Sequence, residues 1–294
     1  FQFTGGEPLL RQSLLLEVLE MARDAGAACA VFTNGFWGKK PEVAERTFDA
    51  LRAAGMTRLA LSYDRFHAAF QGPEPLLNIL EVARRRDWPV RVTITRTADE
   101  HDLEALVAPF RGNSHAEVRF YDVQPVGAAR NLSDQMRAEL AGFCSACSQA
   151  TITDDGRVIA CNGPSYFEVE GSPLWVGKIS ASKQLGPLLE RHGSDPILET
   201  IRVEGPLRLK EILGSLPGFE KFPFQEAYGG MCELCLHITR DPSAVAALRE
   251  HLSGDEQRAL QVAHRRLREQ IQREAVAGGG FNEHSGPSAL MSAL

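Results

Sequence analysis

The chain has 294 residues, 44% of them hydrophobic, and a formal net charge of −6. That length accommodates one large α/β domain plus a smaller module. The acidic balance leaves no surplus of cations to neutralise phosphates, which argues against nucleic acid as a partner, and no apolar run of about eighteen residues proposes a membrane span. No charged-then-apolar leader reads as a secretory signal, so a cytoplasmic location is expected.

In chain order, Phe1-Gln2-Phe3-Thr4 is strand-like and runs into Gly5-Gly6-Glu7-Pro8. Residues 9–25 have apolar side chains at helical spacing, which predicts Leu14, Leu15, Val18, Leu19 and Met21 on one side. A buried strand over 28–33 ends at Asn34-Gly35, a turn signal, and a helix over 41–54 carries proline in its first turn. Strands follow over 58–62, 90–95 and 117–123, separated by helices over 75–86 and 102–110. Strand–helix alternation of this kind predicts parallel strands with right-handed crossovers. It occupies about 130 residues, too few for a complete eight-fold barrel, so an open or partial barrel is expected.

Ligands of such folds bind at the carboxyl ends of the strands. Those ends carry Gly5, Gly6 and Glu7; Thr33, Asn34 and Gly35; Ser62, Asp64 and His67; Thr95 and Arg96; and Gln124, Pro125 and Gly127. Paired glycines let a ligand approach bare backbone, and Glu7 adds a carboxylate beside them. That combination suits a small zwitterion such as an amino acid. His67 alone reads as a solvated loop residue.

The six cysteines give a second signal. Cys144-Ser-Ala-Cys147 is followed by Cys161, and residues 151–160 between them read as a hairpin about an Asp-Gly turn that returns Cys161 towards the pair. Cys232-Glu-Leu-Cys235 adds two more thiols, while Cys29 reads as core. Without a secretory signal these five are metal thiolates rather than disulfides, and the spacing alone leaves zinc and an iron–sulfur cluster open. Residues 242–252 and 255–275 read as helices, the second with Arg265, Arg266, Arg268 and Arg273 on a solvated face; residues 278–294 read as a disordered tail.

Phe3-Thr-Gly-Gly-Glu-Pro-Leu-Leu10, Phe32-Thr-Asn-Gly35, Leu61-Ser-Tyr-Asp64 and Gln124-Pro-Val-Gly-Ala-Ala-Arg130 resemble the radical S-adenosylmethionine (SAM) superfamily. The cysteines resemble its SPASM or twitch extensions, which bind auxiliary [4Fe–4S] clusters, and the Cys144/Cys147/Cys161 spacing resembles the auxiliary site of the GTP 3′,8-cyclase of molybdopterin synthesis. The resemblance covers about residues 1 to 240. It implies a partial (β/α)6 barrel over 1–132, a SPASM/twitch-like module over 133–240, and C-terminal helices over 241–277 before the tail. It also implies SAM as cofactor, reductively cleaved to a 5′-deoxyadenosyl radical. Gly5, Gly6, Glu7 and Pro8 would hold its amino group; Ser62 and Asp64 match positions that contact its ribose or carboxylate, and Asn34 and Arg96 are neighbouring candidates. Cys144, Cys147, Cys161 and one or both of Cys232 and Cys235 would hold one auxiliary [4Fe–4S] cluster. No catalytic residue is assigned.

The family's Cys-x3-Cys-x2-Cys motif, which holds the SAM-binding cluster, occurs nowhere in the 294 residues. The expectation is a chain truncated ahead of that motif and lacking its first β/α unit, with the second cluster present only in a longer protein. The leading expectation is a radical SAM peptide or protein maturase reduced by flavodoxin or ferredoxin, inactive as it stands. A small-molecule enzyme like the GTP cyclase is the alternative, although the chain ends in Ser-Ala-Leu and not in that cyclase's Gly-Gly. A cluster- or zinc-bearing binding module without catalysis is the third.

Overall fold

The computed structural model describes residues 1–97, 103–123, 140–163, 170–182 and 184–254, with single positions between 259 and 270. The fifth strand-end group, the tail and most of the helix expected over 255–275, with Arg265, Arg268 and Arg273, lie outside the described residues, whereas Arg266 is described and exposed. The chain divides into two compact units, 1–123 and 124–294.

The first unit is a parallel sheet in chain order: β1 (Gln2–Phe3), β2 (Ala30–Thr33), β3 (Arg58–Ser62), β4 (Val90–Arg96) and β5 (Ala116–Asp122). Between successive strands lie α1 (Gln12–Asp24), α2 (Pro41–Ala54), the pair α3 (Arg65–Ala68) and α4 (Glu74–Arg85), and α5 (Glu104–Val107). This is a mixed α/β arrangement consistent with a partial barrel of the radical SAM kind. β2, β3 and β4 are buried in continuous runs rather than alternately, as strands covered on both faces must be. α2 shows how the sequence builds the cover. Pro41 opens it, and Ala44, Thr47, Phe48, Leu51 and Ala54 recur at helical spacing on the buried side. Complete burial of Phe48 and Leu51 contributes about 1.5–3 kcal/mol each.

α1 departs from the expected stripe. Leu15, Leu19 and Ala22 face the core, whereas Leu14 and Met21 are 58% and 66% exposed. Five apolar residues over eight positions span more than one helix face, and packing selects the i, i+4, i+7 set among them. Cys29 is fully buried, as a core residue should be.

The first described elements of the second unit are a 3-10 turn, Ser145–Ser148, and the expected hairpin: β6 (Thr151–Ile152) and β7 (Arg157–Ile159), antiparallel. Gly156 turns the chain with φ +79°. A third strand, β8 (Trp175–Lys178), pairs with β7. Helices α6 (Leu185–Ser194), α7 (Pro196–Val203), α8 (Pro206–Ser215), α9 (Met231–Thr239) and α10 (Pro242–Leu252) complete it. Its core joins Val158, Val176, Leu198, Leu209, Leu234 and Leu248, so α10 packs inside this unit. The division at 123/124 precedes the 132/133 boundary of the sequence reading. No described helix is long and apolar enough to cross a membrane.

Candidate functional site

In the first unit the polar residues at the strand ends bond to one another around Glu7. The loop after β1 turns at Gly5 and Gly6, whose φ values of +87° and +53° favour glycine, and a Cβ built on either would meet open space. Glu7 then caps the 3-10 turn Pro8–Arg11: its Oε1 accepts from Leu9 N at 3.0 Å. The same oxygen accepts from Thr33 Oγ1 at 2.8 Å, and Oε2 accepts from Asn34 N at 2.8 Å. Three donors occupy a carboxylate with about four acceptor positions, so Glu7 spends most of its capacity fastening the end of β1 to the end of β2. Thr33 Oγ1, itself buried, also accepts from Gly35 N at 3.1 Å and Trp37 Nε1 at 3.2 Å. Asn34 Oδ1 accepts from Phe36 N, and its carbonyl accepts from Gln71 Nε2 at 2.6 Å, which brings the segment after β3 to the end of β2.

Asp64 is buried and caps α3: Oδ1 accepts from Phe66 N at 2.9 Å, His67 N at 3.0 Å and His67 Nδ1 at 2.8 Å. A carboxylate only accepts, so Nδ1 carries the proton. Burial raises the Asp64 pKa, but its bonds to His67 outweigh that and hold it below the ordinary carboxylate range. His67 moves the other way: the bond to Asp64 raises its pKa more than burial lowers it, and Glu7 adds a further upward push. The sequence reading passed over this dyad. Its available signal was the Asp-x-x-His spacing at a helix start, which lets one carboxylate serve as cap and imidazole partner together.

Ser62 is half-buried, with its Oγ 3.4 Å from Thr93 Oγ1. Arg96 ends β4 opposite Asp122 of β5, and its Nε donates to Asp122 Oδ1 at 2.5 Å. Gly5, Gly6, Glu7, Pro8, Asn34, Ser62, Asp64 and Arg96 thus all lie at or just beyond strand ends, and direct bonds link Glu7 with Asn34.

In the second unit none of the cysteines is in a disulfide. Cys147 sits in the 3-10 turn, Cys161 follows β7, and Cys232 and Cys235 lie three apart on α9, on one face. Cys147, Cys161 and Cys235 are buried. α7 holds the first pair: Cys144 N donates to Ile201 O at 3.1 Å, Cys147 Sγ lies 3.8 Å from Leu198 O, and Arg202 Nε donates to Cys147 O at 3.2 Å. Burial pushes the Cys232 thiol up to about 12, and the Cys147 and Cys235 thiols also rise well above the ordinary range. Each is raised further by neighbouring thiols; for Cys235 these are Cys144, Cys161, Cys232 and Cys147. Cys147 and Cys235 belong to one hydrophobic cluster, with Cys144 packed against it. Among the described residues no three His, Cys, Asp or Glu side chains stand close enough to hold a single metal ion.

Beside α9, Tyr228 Oη accepts from Gln225 N at 3.1 Å and shares a hydrogen bond of 2.8 Å with His237 Nδ1. The His237 ring also packs on Phe222 and Phe224.

No protein-family model matches the chain. The Bacillus subtilis (strain 168) protein YydG, named for peptide biosynthesis, is 25% identical over 253 residues, 79% of this chain and 74% of that protein. A GTP 3′,8-cyclase of Listeria monocytogenes is 27% identical over 195 residues, 60% of this chain and 55% of the cyclase. GTP 3′,8-cyclase 1 of Mycobacterium tuberculosis is 34% identical over 143 residues, 44% of this chain and 38% of the cyclase. The match to these cyclases thus spans about half of their length or less. The chain is thus similar to a protein named for peptide biosynthesis over most of its length and to GTP 3′,8-cyclases over a shorter stretch, which is consistent with the radical SAM resemblance of its strand-end motifs.

Proposed function

We propose that the first unit carries the SAM-binding mouth, and the second an auxiliary [4Fe–4S] module, of a radical SAM enzyme that modifies a peptide or protein. The observation that carries this reading is the set of five free, buried or half-buried cysteines in one unit, with Cys147 and Cys235 in a single hydrophobic cluster and Cys144 packed against it. The donor set is entirely sulfur, which suits iron–sulfur chemistry. Cys144, Cys147, Cys161 and one or both of Cys232 and Cys235 would be the ligands. The similarity to YydG favours a peptide substrate.

When bound and reduced, SAM and its own cluster would supply a 5′-deoxyadenosyl radical that removes a hydrogen atom from the substrate. The residues of this chain bind and orient. Gly5 and Gly6 offer backbone to the SAM amino group. Glu7 keeps that backbone in place and retains room for about one further donor. Ser62, Asp64, Asn34 and Arg96 border the ribose and carboxylate. Flavodoxin or ferredoxin is the class of reductant, and the cytoplasm the compartment.

Three cluster ligands would leave one iron open to a small molecule, and the Cys144-x2-Cys147-x13-Cys161 spacing with the cyclase similarity favours that second reading. Counting iron and sulfide after substituting each cysteine in turn separates the two: four essential cysteines support a closed cluster, three an open one. The polypeptide of 294 residues should form no 5′-deoxyadenosine after reconstitution and reduction, because it holds no Cys-x3-Cys-x2-Cys. A Cys-x3-Cys-x2-Cys encoded upstream of Phe1 supports the enzyme; an intact start near Phe1 supports a binding module.

A further inference from the structure

We propose that Arg202 is the positioning residue of the thiol site: it pins the Cys144–Cys147 loop to α7 and sets a permanent cation against Cys147, raising the reduction potential of the cluster the thiols hold. The inference rests on reading the thiols as cluster ligands.

The Arg202 side chain is only 12% exposed and that of Glu199, one turn earlier on α7, only 3%. Burying a guanidinium is costly unless its donors are matched. Here they are: one end pairs with Glu199, Nε donates to Cys147 O at 3.2 Å, and the other end donates to His192 O at 2.8 Å. A planar fork on three acceptors is fixed in orientation in a way a lysine could not reproduce. Leu198 and Ile201 complete the fastening through Cys147 Sγ and Cys144 N. The nearby Asp195 caps α7 and pairs with Arg249 of α10 at 3.1 Å, so it already has a cation of its own.

Two consequences separate. The carbonyl bonds hold the ligand loop in shape before anything binds. The charge acts on whatever the sulfurs hold: reduction adds an electron to a thiolate-ligated cluster, and a fixed buried cation stabilises the more negative state. Glu199 offsets part of that charge.

The test compares the wild-type chain with Arg202→Met, Arg202→Lys and Glu199→Gln after iron–sulfur reconstitution. Iron and sulfide are counted per chain, and the potential of the assembled clusters is read by electron paramagnetic resonance during dithionite titration. Arg202→Met should lose several-fold in cluster occupancy and shift the remaining clusters to a more negative potential. Arg202→Lys should lose occupancy but keep the wild-type potential, and Glu199→Gln should shift it positive. A merely structural arginine would lower occupancy in both Arg202 variants and leave every potential unmoved, and that result overturns the proposal. If Arg202→Met does not fold, an unmoved potential in Glu199→Gln overturns it instead. A wild-type chain that takes up no cluster removes the cluster reading and this inference together; a loaded wild type with unmoved variants removes the inference alone.

Discussion

The two units place polar chemistry differently. In the first, a continuous aliphatic core carries the sheet, and the candidate residues sit at the strand ends, where Glu7, Thr33 and Asn34 satisfy one another. In the second, the candidate residues are inside: Cys147 and Cys235 belong to the hydrophobic core itself. A mouth of satisfied hydrogen bonds keeps its shape without a ligand. Thiols pushed above their ordinary range stay protonated at neutral pH, and on the proposed reading iron would have to displace those protons. That reading would couple metal and folding in the second unit and leave them independent in the first.

The hardest test of that contrast removes two sulfurs. Cys147→Ser/Cys161→Ser should abolish cluster content by iron and sulfide counting, while a hydrogen-exchange map of the first unit stays at wild type. Full cluster content in this variant would refute the ligand assignment.

Glu7→Ala should do the reverse. It strips acceptors from Leu9 N, Thr33 Oγ1 and Asn34 N, and unsatisfied buried groups cost about 1–3 kcal/mol. We expect the unfolding free energy of the first unit, read by denaturant titration, to fall by about 2 kcal/mol, with iron per chain unchanged.

A smaller effect lies in the Asp64–His67 pair. The folded His67 pKa is raised above 6.5, so its contribution is fully present below that value and fades as pH climbs through the folded pKa. The Asp64 pKa is lowered from 3.8, so its contribution is present above that value and fades as pH falls through the folded pKa. The pair therefore stabilises most between those two ordinary values. Imidazole resonances of His67 should titrate above 6.5, and His67→Gln should flatten the pH dependence of first-unit stability in that upper window. The smallest effect belongs to Asp122→Asn. Both partners of the Arg96 pair are substantially exposed, and such pairs contribute less than about 1 kcal/mol; thermal melts should barely move.

How much was legible follows the same division. β3, α2 and α10 fall where the periodicity places them, because local pattern and burial agree there. α6 escaped notice since Gly186, Pro187 and Gly193 break its pattern, although Pro196 and Pro206 at the starts of α7 and α8 are readable signals. β8 pairs with β7 from beyond the hairpin, which no local turn announces. At the site, residue types at strand ends were readable, but their partnerships were not. Glu7 meets Thr33 across 26 positions of chain, and Arg202 meets Cys147 across 55. Such pairings are set by how the elements pack and leave no trace in spacing.

The placement of the cysteines also fixes an order of assembly. Cys144, Cys147 and Cys161 are made early and close together, whereas Cys232 and Cys235 ride on α9, after β8 and α6–α8. Chains emerge from the ribosome at about 5–20 residues per second. For several seconds of synthesis the nascent thiol site therefore has only its first three sulfurs, with α7, which fastens their loop, arriving before the last two. The thiol site is completed from its scaffold outward: α9 brings the last two sulfurs, and α10 follows to pack in the same core.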